Sequence, residues 1–287
     1  MSVEDALATT LGNTAIRLAK DKLPPGVKRI ARRATDRGQD IIRGGWFKYP
    51  RSIDVSLDGL AASFMTLSAS HETNLANLGG EREFLEEFVS AIKPKDIIWD
   101  IGASTGTFSV FAALKTGKNG RVIALEPEPE LAELFQQNLS LNNIKNISIL
   151  EIAAWDKEGV LSLHTSGSSG KAPRTTRKGD LTQNPEKFRN TIEVSALPLN
   201  DLVKRGFAPA PDIIKIDVEG VENKVLEGMG NLHPRELFIE IHPTLLPHDQ
   251  TPAMIRDKVI SRGYTLTTTP WQRENELLCH FRLNTPT

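Results

Sequence analysis

Hydrophobic and polar residues follow three successive rhythms along this chain, and each predicts a different kind of element. Segments 3–22 and 26–43 carry apolar residues at helical spacing and are divided by Leu23-Pro24-Pro25-Gly26, where proline removes a backbone donor and disfavours a helical residue before it. In the second of these helices Val27, Ile30, Ala31, Ala34 and Ile41 lie near one face, with arginines on the others. Residues 52–58 and 61–67 then alternate apolar and polar around Asp58-Gly59. That pair tolerates the positive φ of a tight turn, so a β-hairpin is expected. Helical spacing returns over 81–92 and Pro94 stops it.

Beyond Pro94 short apolar runs alternate with helical patterns, as in a parallel sheet covered by helices on both faces. The predicted strands are 96–101, 121–125, 147–153, 213–217 and 237–241, with helices over TGTFSVFAAL and PELAELFQQNLSLN. Two last strands, 264–268 and 276–282, are separated by Pro270 and a polar turn and are expected to pair as a hairpin. Segments 159–164 and 191–197 also read as strands, and between them lies the Gly, Ser, Lys and Arg-rich stretch 165–190. A loop of that length inside a compact domain is either disordered or a functional lid. The fold expected is α/β and Rossmann-like, with a seven-stranded, mostly parallel sheet ending in an antiparallel hairpin. Its domain plan is a basic helical extension over 1–51, a hairpin and linker over 52–80, and a catalytic domain over 81–287 with a mobile insertion at 165–190.

Charge adds one feature to this plan. The 287 residues have a formal net charge of −1, but residues 1–51 hold eleven Lys or Arg against five acidic residues. The overall balance gives no basic footprint for nucleic acid, whereas the basic N-terminal helices suit peripheral contact with an anionic membrane or a partner. The blander reading has them packed on their own domain. Cys279 is the sole cysteine, so no intrachain disulfide forms and an oxidising compartment gains no support. No run approaches the ~18–20 apolar residues of a spanning helix, and no leader precedes a small-residue cleavage site. A cytoplasmic protein is expected, and nothing in the sequence fixes its oligomeric state.

The chemistry is concentrated where predicted strands end. Asp100-Ile-Gly102-Ala-Ser104-Thr-Gly106 turns a strand directly into a helix, and glycines suit a backbone that meets a ligand there. The amides that open the following helix create a partial positive field able to receive a carboxylate, while Asp100 complements an ammonium group. The spacing G-x-x-x-G lacks the central glycine of the dinucleotide fingerprint G-x-G-x-x-G. Glu126 ends the second strand, placed to accept two hydrogen bonds from ribose hydroxyls. Together these features point to S-adenosylmethionine. Ala154, at the end of the third strand, is a candidate for lining the adenine pocket, with a core or hinge role as its alternative.

A second concentration is Lys215-Ile-Asp217-Val-Glu219-Gly220-Val-Glu222, at the end of the fourth strand, followed by Glu240 and His242 at the end of the fifth. Ligands of open α/β sheets bind in this crevice. Methyl transfer from a sulfonium needs a nucleophile aligned with the S–CH3 bond and a route for its proton. Asp217, Glu219 and His242 are the catalytic candidates, and Lys215 and Glu240 are placed to meet the substrate. Asp217 and Glu219 also form a pair able to hold a divalent cation such as Mg²⁺. The competing structural reading makes Asp217 and Glu219 a helix cap and first-turn acid, and His242-Pro243 a plain strand end.

The segments DIGASTG, ALEPEPE, Ala153-Ala154-Trp155 followed by Gly159, IKIDVEGVE and FIEIHP resemble the FkbM family of class I methyltransferases over about residues 70–243. Lys215 to Glu222 is similar to that family's K-I-D-V-E-G-x-E signature. The resemblance implies O-methylation of a hydroxyl on a sugar, glycolipid or secondary metabolite. It implies cofactor contacts by Asp100, Gly102, Gly106 and Glu126, and a substrate or catalytic role for Asp217, Glu219 and Glu222. Ser104 stands where such turns commonly carry Asn, and the basic stretch 165–190 has no counterpart. Two other readings compete: a nicotinamide-dependent oxidoreductase, against which the glycine spacing and the lack of a Tyr-x-x-x-Lys pair argue, and a non-catalytic cofactor-binding adaptor.

Overall fold

The computed structural model describes residues 49–165, 174–176, 190–267, 270–273 and 276–284. The expected N-terminal helices and most of the 165–190 insertion lie outside the described residues. The first described elements are strands β1 (Arg51–Leu57) and β2 (Leu60–Thr66), an antiparallel hairpin turning at Asp58 and Gly59, both with positive φ. Helices α1 (Ala69–Ala76) and α2 (Arg82–Ala91) follow. In α2 Phe84, Leu85, Phe88 and Val89 are buried, the helical stripe that its sequence spacing prescribes.

The main sheet then alternates strand and helix: β3 (Ile97–Ile101), α3 (Thr107–Thr116), β4 (Arg121–Leu125), α4 (Pro129–Leu141) and β5 (Ile147–Leu150). After an excursion through β6 (Ala153–Ala154), β7 (Gly159–Thr165), β8 (Arg174–Thr176), β9 (Asn190–Leu197) and α5 (Leu199–Lys204), it resumes with β10 (Ile213–Ile216), α6 (Glu222–Gly228), β11 (Glu236–Ile241) and α7 (Pro252–Ser261). Strands β12 (Tyr264–Leu266), β13 (Trp271–Arg273) and β14 (Glu276–Leu283) complete the described chain. The order across the sheet is β12-β14-β11-β10-β3-β4-β5. Strands β11, β10, β3, β4 and β5 run parallel, while β14 and its neighbours are antiparallel.

The sheet thus has the five parallel strands and closing hairpin expected, with two differences. Its edge position beside β14 is shared by β12 and β13, giving eight strand segments rather than seven. The predicted strand 147–153 is also divided, because β5 ends at Leu150 and Ala153-Ala154 joins β9 in a separate sheet of order β6-β9-β7-β8. β8 is the one described piece of the 165–190 stretch, paired with β7.

Two apolar clusters, one on each face, hold the main sheet between helices. Ile98, Val122, Ala124, Ile213 and Phe238 face α2, α3 and α4, whereas Trp99, Ile123, Leu125, Ile214 and Ile239 face α5, α6 and α7. This is the two-residue alternation of strand side chains. Val55, Leu57 and Phe64 of the hairpin belong to the first cluster, so the hairpin is part of the core rather than a linker before it. Asn142, at the C-cap of α4, bonds the Ser63 backbone in both directions, at 2.7 Å each. Asn138 of α4 accepts from Met65 N at 2.8 Å and donates to Thr105 O at 2.8 Å, tying the hairpin to the turn after β3.

Candidate active site

That turn is built by its glycines and by Glu126. Gly102 and Gly106 adopt φ of 78° and 87°, and Ser104 takes φ of 51° between them. A Cβ on Gly102 would overlap the carbonyl oxygen of Asp217, and one on Gly106 would overlap the ring of Phe135. The two glycines therefore answer to close packing within the chain, of β3 against the end of β10 and of α3 against α4. Glu126, 2% exposed, accepts from Ser104 N at 2.7 Å and Glu128 N at 2.9 Å. One carboxylate thereby holds the turn and the start of α4, and each of its oxygens keeps a second lone pair for a ribose hydroxyl.

Burial pushes the Glu126 carboxyl up to about 7, against the pull of the amides of Glu128 and Ser104. A raised carboxyl favours folding below its unfolded range near 4.5, and that contribution is lost as pH rises through about 7. Ribose hydroxyls donate to the ionised form, so cofactor affinity has the opposite trend. Affinity is expected to weaken by about tenfold per pH unit below pH 7, and to lose that dependence in Glu126→Gln. Calorimetric titration from pH 5.5 to 8.5 checks this, and a parallel decline in the variant would contradict it.

Asp100 is differently placed from the expectation. It is fully buried, its Oδ2 accepts from Ser109 Oγ at 2.7 Å, and its Oδ1 faces Lys215 Nζ at 3.3 Å. Oδ2 is thus hydrogen-bonded within the protein, while Oδ1 pairs with the Lys215 charge and makes no hydrogen bond. Lys215 in turn is 3% exposed, with Nζ 3.3 Å from Gly102 O, 3.2 Å from Asp217 Oδ2 and 4.8 Å from the centre of the Phe108 ring. Burial lowers its affinity for a proton, but the charges of Asp100, Asp217 and Glu240 outweigh it and hold the ammonium form. Lys215 joins the cofactor turn to the fourth strand from below, and the substrate contact predicted for it is closed off. Ala154 is buried in the cluster with Ile123 and Leu125.

The register explains why Asp217 and Glu240 meet. β3, β10 and β11 are paired so that Asp100, Lys215 and Phe238 lie in one row; two residues further, Gly102, Asp217 and Glu240 form the next at the carboxyl edge. Asp217 Oδ1 lies 3.8 Å from His242 Nε2, and Glu240 Oε1 lies 3.4 Å from the same nitrogen. Asp217 has 26% of its side chain exposed, against 5% for Glu240. Burial and the charge of Asp217 push Glu240 up to about 8, offset in part by His242. Burial alone would lower His242, but its bonds to Glu222 and Glu240 and the charge of Asp217 raise it to about 11. The imidazole is a cation at neutral pH.

Donor atoms of Asp217, Glu240 and His242 fall within 4.8 Å of one another, and Glu240 also lies in a second such group with Glu81 and Glu276. The cation pair expected from the sequence is Asp217 with Glu219; both groups of three donors include Glu240, and Glu219 is in neither. Glu219 instead occupies the turn with φ of 48°. Glu222 is fully buried, with Oε1 accepting from Gly220 N, His242 N and His242 Nδ1, so the substrate role expected of it is corrected to one inside the protein. Sequence reading missed Ser109, Phe108, Glu81 and Glu276, which come from other elements and carry no local signal.

The methyltransferase FkbM domain model matches residues 100–266, more than half of the chain, from the carboxyl end of β3 through β10 and β11. The chain belongs to the FkbM methyltransferase family. It is an S-adenosylmethionine-dependent methyltransferase, and the nicotinamide alternative is set aside. Hexuronic acid methyltransferase AglP of Haloferax volcanii is 26% identical over 236 residues, covering 81% of this chain and 90% of that protein. The 31-O-demethyl-FK506 methyltransferase FkbM of Streptomyces tacrolimicus is 27% identical over 178 residues, covering 53% and 67%. The 2-O-methyltransferase NoeI of Sinorhizobium fredii is 25% identical over 144 residues, covering 47% and 58%. Among solved structures, a precorrin-6y C5,15-methyltransferase from Geobacter metallireducens superposes with a TM-score of 0.45 at 14% identity, covering 71% of this chain and 89% of that one.

The residues of this FkbM methyltransferase fit the family's cofactor. Glu126 offers the carboxylate for a ribose diol, and the turn 102–106 brings backbone to the same edge. No helix among the described residues is long and apolar enough to cross a membrane.

Proposed function

We propose that this FkbM methyltransferase transfers the methyl group to a hydroxyl of a sugar, glycolipid or secondary metabolite. The exposure of Asp217 carries this reading. Of the three carboxylates around His242, it alone opens substantially to the crevice. Lys215 on one oxygen and His242 on the other keep that carboxylate aimed. The names of two relatives, a 2-O-methyltransferase and a 31-O-demethyl-FK506 methyltransferase, support an oxygen acceptor, and that of a third, a hexuronic acid methyltransferase, supports a sugar.

Bound S-adenosylmethionine supplies an electrophilic methyl on a sulfonium. Glu126 and the 102–106 turn would hold its nucleoside end. Asp217 would accept the hydroxyl proton as the methyl carbon exchanges its bond to sulfur for one to the acceptor oxygen, the cofactor leaving as the neutral thioether, and Lys215 holds the Asp217 carboxylate in place. His242, as a cation, neutralises the neighbouring carboxylates, so transfer is expected to proceed without added Mg²⁺. Incubation with methyl-labelled cofactor and a host metabolite and glycolipid extract, with and without chelator, tests both points. The expected product carries label on oxygen in both arms. Absence of label from every acceptor would overturn the hydroxyl reading, and label lost only with chelator would assign a divalent cation to Asp217, Glu240 and His242. The basic segment 1–51 is the proposed site of membrane contact, and the acceptor itself the expected partner.

A further inference from the structure

The second glutamate of the Lys215–Glu222 segment sits on the wall of the crevice without facing into it. It stands at the first position of α6 with its side chain fully buried, on the same stripe as Val225 and Leu226. An acid in the first turn of a helix ordinarily stays at the surface, where it meets the helix dipole. Here Oε1 instead gathers three donors: Gly220 N at 3.1 Å, His242 N at 3.2 Å and His242 Nδ1 at 3.0 Å. The first belongs to the turn after β10 and the other two to the turn after β11. Gly220, at φ of 93°, packs so closely on Leu245 that a Cβ would overlap its carbonyl oxygen. The two turns that carry Asp217 and His242 are thus fastened at one point.

We propose that Glu222 is a positioning residue that sets the His242 imidazole for methyl transfer. With Nδ1 committed to Glu222, the ring can present only Nε2 to the crevice, 3.4 Å from Glu240 and 3.8 Å from Asp217. A ring flipped about its χ2 axis would lose the charge-assisted bond to a buried carboxylate, and such bonds are the strong ones in a protein. Ring orientation then fixes where the two crevice carboxylates lie. Glu222 acts through His242 and touches neither cofactor nor acceptor, and this assignment rests on the hydroxyl-transfer reading above.

The test is Glu222→Gln in the full chain, which keeps the shape and removes the charge. Affinity for S-adenosylmethionine is expected to stay within about twofold, since no cofactor residue is touched, while kcat falls by about 10²-fold as the ring loses its orientation. In protein labelled with 15N-histidine, the His242 ring nitrogens should shift and titrate at lower pH than in wild type. Glu222, Glu240 and Asp217 all face that ring, so the pH profile of kcat should move in the same direction. A double-mutant cycle with His242→Gln separates this from a purely structural role: the double variant should be no slower than His242→Gln alone. Unchanged His242 resonances, unchanged kcat in the folded variant, or additive losses would overturn the proposal. If Glu222→Gln does not fold, His242→Gln tests the clip from its other side, and wild-type kcat there overturns it. Because the nitrogen spectra need no acceptor, they decide this proposal even where wild-type protein labels no hydroxyl and the broader reading fails.

Discussion

Asp217→Asn is expected to bind S-adenosylmethionine with unchanged affinity and to transfer the methyl group about 10²–10⁴-fold more slowly. Asparagine keeps the size of the side chain and an oxygen for Lys215 Nζ, which lies 3.2 Å from Oδ2, but it cannot take a proton at neutral pH. The cofactor residues lie on the other side of Gly102 and are not altered. Single-turnover measurement with the identified acceptor, beside a calorimetric titration of cofactor, separates the two quantities. Retention of full turnover would remove Asp217 from the chemistry and leave Glu240 as the crevice carboxylate to examine.

Gly102→Ala should fail earlier, in the assembly of the crevice. The position needs φ of 78°, and the added carbon would overlap the Asp217 carbonyl on the adjacent strand. The left-handed conformation costs about 1–2 kcal/mol for a residue with a Cβ, and overpacking adds about 1–3 kcal/mol. The obstructing atom is backbone, held by the pairing of β3 with β10, so a rotamer change cannot relieve it. Denaturant unfolding is expected to show a loss of about 2–5 kcal/mol, with cofactor binding weakened in the protein that remains folded. An alanine variant of wild-type stability would mean that the two strand ends separate easily.

Why the sequence revealed the fold so clearly, and the site only in part, is visible at particular residues. Strand β4 was legible to the residue because Val122, Ile123, Ala124 and Leu125 are buried on both faces and flanked by turn residues. The hairpin was legible through its alternation and Asp58-Gly59. α6 was foreseen only as the helix that Asp217 and Glu219 would cap in the structural alternative, because its seven residues are too few to establish a period. The division of 147–153 also escaped, since nothing local distinguishes a strand that continues from one that crosses to a second sheet at Ala153.

At the site, spacing located the crevice but not the direction of each side chain. Asp100, Lys215 and Glu222 were read as facing ligands because they flank the turns where ligands bind. Each instead bonds to a residue brought up by another element: Ser109, Asp100 and His242 respectively. Burial of a charged group depends on such partners, which no window of local sequence contains. Glu240 and His242 were seen as a strand end, and their meeting with Asp217 follows from register alone.

The two hydrogen bonds of the Asn138 side chain have a consequence for how this protein can vary. Because one amide group serves both Met65 in the hairpin and Thr105 beside the cofactor turn, three stretches far apart in the chain are not free to drift independently. A change that moves the hairpin by a fraction of an ångström must be answered at residue 138, or it reaches position 105. In a mutational scan, damage at Asn138 should therefore be recorded as a loss of activity by a helix that contributes no atom to the reaction, and second-site suppressors should be sought in the hairpin.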